Sequence, residues 1–100
     1  MSSRKPPLKL SPKARQDIVD ILRYTGETWE QNQLLVYRDK INAALEVISH
    51  TPEIGHGHND LPLIHLAYLV GSHIIAYRIR TDSIGIVRIL YQRMSVARHV

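Results

Sequence analysis

The sequence predicts an α+β domain, a helical hairpin packed on a small antiparallel sheet, with elements in the order β-α-α-β-β-β. Three observations lead there. Between Ser11 and Ser49 apolar side chains recur with the 3.6-residue period of amphipathic helices. From Gly71 onward apolar and polar residues mix across two runs split by Thr81-Asp82-Ser83, the pattern of a β-hairpin with one packed face and one partly wet face. Between these regions, Thr51-Pro52 and a stretch rich in glycine and histidine punctuate the chain.

Each element has a local reason. Leu8-Lys9-Leu10, after Pro6-Pro7, is a short strand. Ser11-Pro12 starts the first helix, because the serine hydroxyl can accept an orphan backbone N–H and proline has none to waste at the first position. This helix should run to about Trp29, with Ala14, Ile18, Ile21, Leu22 and Thr25 on its apolar stripe and Trp29 capping the helical pair. Gly26 weakens its last turn by about 1 kcal/mol relative to alanine. A second helix from about Gln31 to Ser49 places Leu34, Tyr37, Ile41, Ala44, Leu45 and Ile48 on one face, and the short join makes the pair an antiparallel hairpin. Pro52 stops it by disfavouring helical geometry at Thr51. Glu53 to Asp60 reads as an exposed loop, Leu63 to Val70 as a strand, and Gly71-Ser72 as the tight turn into the final hairpin.

One hundred residues with 44% apolar side chains suit a single domain spanning 1–100, with residues 1–7 a flexible N-terminus and 92–100 a tail. Without cysteine, neither disulfides nor thiolate chemistry is available. The first ten residues lack the apolar core of a secretory signal, and no run approaches the roughly 20 apolar residues of a membrane span. A cytoplasmic protein without a membrane partner is therefore expected. Charge is arranged in blocks: residues 1–13 carry +4, residues 14–72 carry −4, and residues 73–100 carry +4 from five arginines against Asp82. Such segregation suits different surfaces for different partners, or simply a solvated exterior.

The arginine-rich end is the candidate working surface. Arg78, Arg88, Tyr91, Arg93, Met94 and Arg98 are its candidate target-binding residues, with alternating apolar and cationic character continuing through Val96 and His99. Structural roles compete with this. Arg78 and Arg88 can pair with Asp17 or Asp20 of the acidic middle. Tyr77 and Tyr91, in register with Ile75, Ile79, Val87 and Ile89 under simple alternation, read as core aromatics. No recognition helix stands out and interleaved aromatics are few, so a protein target near DNA is expected rather than direct nucleic-acid binding. Val19, Leu35, Val36 and Val47 fall off the main helical stripes and form apolar surface that a partner helix can cover. A free sheet edge could likewise accept a strand.

Catalysis finds less support. RNA cleavage by its own 2′-hydroxyl needs a base, an acid and a phosphate-binding cation on one surface. Arg78 and Arg88 supply cations if they face each other on neighbouring strands, but strand alternation sends His73 to the face opposite Arg78, and a tyrosine with a pKa of about 10 is a poor base. No catalytic residue is assigned. His56-Gly57-His58, with Glu53 and Asp60 nearby, raises a metal site, but a glycine-rich loop does not preorganise ligands; no metal or cofactor is expected.

Several segments together resemble a family: LSPKARQDIVDI at 10–21, Trp29 at the helix end, TPEIG at 51–55, GSHIIAYRIR at 71–80 and IVRILYQRMSVARHV at 86–100. They resemble the ParE branch of the ParE/RelE toxins of bacterial type II toxin–antitoxin modules. The pattern differs at Tyr91, where histidine is usual, at Ser95, where an acid or amide is usual, and at His65-Leu66-Ala67, where an arginine is common. The resemblance implies a RelE/ParE-like fold, noncovalent poisoning of DNA gyrase or topoisomerase IV, and neutralisation by a ParD-like antitoxin in a hetero-oligomer. RelE-like relatives cut messenger RNA on the ribosome instead, and a non-toxic antitoxin-binding homologue is a third expectation. The scaffold is shared, so fold alone does not choose.

Overall fold

A computed structural model describes residues 6–28, 31–57 and 65–91. The elements are β1 (Leu8–Leu10), α1 (Pro12–Thr28), α2 (Gln31–His50), a 3-10 turn (Pro52–Ile54), β2 (Leu66–Val70), β3 (His73–Ile79) and β4 (Ile84–Tyr91). Two helices thus lie on a four-stranded sheet ordered β1-β4-β3-β2. No helix among the described residues is long and apolar enough to cross a membrane.

The sheet corrects one expectation. It is mixed rather than antiparallel, since β1 runs parallel to β4, pairing Leu8 with Ile84, Lys9 with Gly85 and Leu10 with Ile86. Alternating side chains specify which face a strand buries but not the direction of its neighbour, which follows from how the intervening elements return the chain. Ser11 secures this arrangement from both sides. Its Oγ accepts the Ala14 N–H at 2.9 Å, capping α1, and donates to the Val87 carbonyl at 2.7 Å, while its backbone N–H donates to the Ile86 carbonyl at 3.0 Å.

The core lies between helices and sheet. Ala14, Ile41, Ala44 and Ile48 meet Val70, Ile75, Tyr77, Ile84, Ile86 and Ile89, with Ile18, Ile21, Tyr37 and Leu45 packed around them. Gly26 also has a packing reason: a Cβ there would lie 2.7 Å from Leu34 Cδ1, so its absence lets the helices approach. On the other face of the sheet, Ala67, Ile74, Ala76 and Leu90 form a smaller cluster.

A β-bulge alters the expected facing of β4. Ala76 pairs with Arg88 but Tyr77 pairs with Ile86, leaving Val87 as the extra residue. Ile86 and Ile89 therefore both face the helices, and Val87 does not share Ile89's position as simple alternation had it. Tyr77 is fully buried as expected, its hydroxyl donating to the Pro52 carbonyl at 2.7 Å and accepting the Gly55 N–H at 2.8 Å. Tyr91 differs, being 40% exposed.

Nor is the segment after Pro52 simply an exposed loop. Tyr77 ties down its 3-10 turn, and His56 forms an isolated β-bridge to Ala67 through backbone bonds of 2.9 and 2.8 Å. The tight turn into β3 is present, with Gly71 at φ 55° and Val70 paired to His73. The expected start of the preceding strand at Leu63, together with Trp29, His58 and Asp60, lies outside the described residues.

Candidate functional site

The cations of the C-terminal hairpin divide between the β4 edge beside α1 and the open outward face of the sheet. At that edge, α1 runs past the end of the three-residue strand β1 and brings Asp17 to β4, where Arg88 reaches around to meet it. Both carboxylate oxygens are engaged: Arg88 Nε donates to Oδ2 at 2.7 Å, Arg88 Nη2 to Oδ1 at 2.8 Å, and the Ile89 backbone N–H to Oδ2 at 2.9 Å. The side chains are only 16% and 12% exposed, and the hydrogen-bonded carboxylate pushes the Arg88 guanidinium further up. Of the two roles considered for Arg88, the ion pair with Asp17 is the one formed. Arg88 and Arg78 do not face each other either, because their register partners are Ala76 and Gly85.

Beside this pair stands an aromatic row. His73 packs edge-on against Tyr37 and Tyr91, with ring centroids 5.4 and 5.6 Å away, and the Tyr37 hydroxyl is hydrogen-bonded to His73 Nδ1. Burial lowers the His73 pKa, partly opposed by the Asp17 charge, and burial raises that of Tyr37. Tyr24, Gln33, Tyr37, His73 and Tyr91 line a groove of about 480 Å³ where the helices part from the sheet. This side offers aromatic surface and a neutral imidazole.

The outward face carries the cations. Arg78 lies on it because Tyr77 and Ile79 alternate away, and with Arg80, Lys9, His65 and Gly85 it lines a groove of about 350 Å³. Neither Arg78 nor Arg80 makes an ion pair with a carboxylate among the described residues. His65 is 9% exposed, and its Nδ1 has no hydrogen-bond partner among the described residues. Burial lowers its pKa and the charge of Arg78 lowers it further. No group of three or more His, Asp or Glu side chains converges as a metal site among the described residues.

Val19, Leu35 and Val36 are exposed on the helical hairpin, as the sequence suggested, while Val47 is half-buried. Tyr24 and Leu69, at 66% and 62% exposure, add apolar surface that the sequence reading passed over. Arg93, Met94 and Arg98 lie outside the described residues.

Comparison with known proteins identifies the family. The family described as the ParE toxin of the type II toxin–antitoxin system parDE matches residues 8–96. The chain belongs to the ParE toxin family. A relative named Toxin ParE1 from Caulobacter vibrioides is 30% identical over 94 residues, covering 94% of this chain and 97% of that protein. Toxin ParE1 from Mycobacterium tuberculosis is 31% identical over 101 residues, covering 100% of both. Among solved structures, one titled "Chromosomal ParDE TA system from P. aeruginosa" superposes with a TM-score of 0.75 over 87% of this chain and 96% of that chain, at 17% identity. That likeness establishes the ParE fold. Family membership makes the chain a ParE toxin of a type II toxin–antitoxin system and gives the divided hairpin a context: its residues belong to a toxin.

Proposed function

We propose that this ParE toxin inhibits DNA gyrase by noncovalent binding through its outward-facing cationic surface, and that a ParD-like antitoxin neutralises it. The observation that carries the reading is the unequal fate of the arginines. Arg88 is consumed by Asp17, whereas Arg78 and Arg80 keep guanidinium groups on the open face with no carboxylate paired to them among the described residues. Unneutralised guanidinium groups on a stiff sheet suit electrostatic docking onto an acidic macromolecular surface, with the tail residues Arg93, Met94 and Arg98 as further contacts and Tyr91, on the helix side of the sheet, as a separate one. For the antitoxin, exposed Val19, Leu35 and Val36 with half-buried Val47 offer an apolar surface to an amphipathic segment. The P. aeruginosa structure, titled as a ParDE system, supports a partner of that kind.

A RelE-like cleavage of ribosome-bound messenger RNA has one observation in its favour: His65 beside Arg78 puts an imidazole and a cation on one face. Against it, that imidazole is almost fully buried, and His73 sits across the sheet bonded to Tyr37. Supercoiling by purified gyrase and by topoisomerase IV, run beside translation with messenger RNA integrity as the readout, separates the two. The expected result is accumulation of cleaved DNA with intact messenger RNA, and loss of the effect in Arg78→Gln/Arg80→Gln. Transcript cleavage with supercoiling untouched overturns the reading. Silence in every assay leaves the non-toxic antitoxin-binding homologue. The antitoxin is tested by co-expression with a ribbon-helix-helix protein encoded just upstream, where copurification is expected.

A further inference from the structure

We propose that the outward groove between β1, β4 and β3 is a binding site for a phosphate-type oxyanion, held by Arg78, Arg80 and Lys9 with His65 at its wall. The register builds it. Gly85 on β4 pairs with Lys9 on one side and Arg78 on the other, so two cations face each other across a residue with no side chain. Strand spacing sets the two backbones about 10 Å apart, a width that long cationic side chains can close around one small anion. Arg80 arches back over the same glycine: a Cβ on Gly85 would lie 3.1 Å from Arg80 Nε and 3.7 Å from Arg78 Cγ. Glycine here keeps the floor open and lets both arginines lie on it.

A second, independent observation is His65. It lines the same groove, and its buried Nδ1 has no hydrogen-bond partner among the described residues, an unsatisfied group of the kind that costs free energy in a fold. Three cations in one groove repel one another, and an anion held between them relieves that repulsion. The nearby acid, Asp82, lines the adjoining cleft with Arg78 and Arg80 but forms no ion pair with either. A phosphate oxygen pair matches the planar fork of a guanidinium, and its charge would favour the protonated, donating form of His65. The source can be the backbone of a nucleic-acid strand or a small phosphorylated molecule, and the first of these would run against the sequence expectation of no direct nucleic-acid binding. The proposal requires only binding and does not depend on gyrase being the target.

The test titrates the full-length chain with inorganic phosphate, a nucleoside triphosphate and a short single-stranded DNA oligonucleotide, by calorimetry and by the NMR signals of the His65 ring. Phosphate should bind and move the His65 signals. Arg78→Gln/Arg80→Gln should weaken it at least tenfold, Lys9→Gln and Gly85→Ala severalfold, each with an unchanged circular dichroism spectrum. Tighter binding of the oligonucleotide, falling steeply with salt, assigns the site to a nucleic-acid backbone; tighter binding of the triphosphate assigns it to a small phosphorylated molecule. Absence of binding by all three probes, or binding undiminished in Arg78→Gln/Arg80→Gln, overturns the proposal.

Discussion

At the β4 edge beside α1 Arg88 is grasped by both oxygens of Asp17, and under the helices His73 is enclosed by Tyr37 and Tyr91; on the open outward face Arg78 and Arg80 lie over bare glycine and His65 keeps a buried nitrogen with no hydrogen-bond partner among the described residues. The same residue types, a few positions apart on adjacent strands, thus hold the molecule together on one side and remain available on the other. Polar groups satisfied within the chain stabilise it and have little left for a ligand. Groups left unsatisfied cost stability and are where function is to be sought.

The contrast is most exposed to failure at Asp17. Asp17→Ala takes from the mostly buried guanidinium of Arg88 the carboxylate that its Nε and Nη2 donate to, leaves the Ile89 N–H without its acceptor, and should cost about 3 to 5 kcal/mol in urea unfolding. A loss below about 1 kcal/mol would mean the pair is a surface contact. Next, Tyr77→Phe removes the hydroxyl that joins the 3-10 turn to the core, for about 1 to 2 kcal/mol, and should hasten amide exchange at Gly55. Unchanged exchange there would show the turn is held by other contacts.

Acid should act on both faces together. Burial lowers the pKa of His73 and of His65 from the ordinary value near 6.5. The unfolded chain therefore takes up protons first as the pH falls. Stability should be full above about 6.5 and decline as the pH drops through the depressed folded values. His73→Gln and His65→Gln should each flatten part of that decline in urea midpoints measured from about pH 8 to pH 5. A slope untouched by either variant would assign it to other groups. Smallest of all, Arg78→Gln and Arg80→Gln should change stability by no more than about 0.5 kcal/mol, because neither side chain makes an ion pair or a side-chain hydrogen bond among the described residues. A larger loss would erase the distinction between the faces.

Legibility in the sequence follows the range of the interaction. The cap at Ser11, the stop at Pro52, the turn at Gly71 and the stripes through Ala14, Ile41 and Ile48 are set by neighbours within a turn or two, and each was readable. The pairing of Arg88 was open, with Asp17 and Asp20 both available, until a partner 71 positions away was fixed in space. His65, just before β2, gave no local signal of its own. Its significance comes from burial and from Arg78 across the groove.

The sequence by itself determined two amphipathic helices, a closing hairpin, a cationic carboxyl-terminal segment and the resemblance to ParE, because composition, period and capping act locally and survive without knowledge of neighbours. The tertiary structure decided that β1 runs parallel to β4, that a bulge at Val87 redirects β4, and which arginine is bound and which is open. Those outcomes depend on register and on which groups compete for each carboxylate, quantities that exist only once distant segments share the same space.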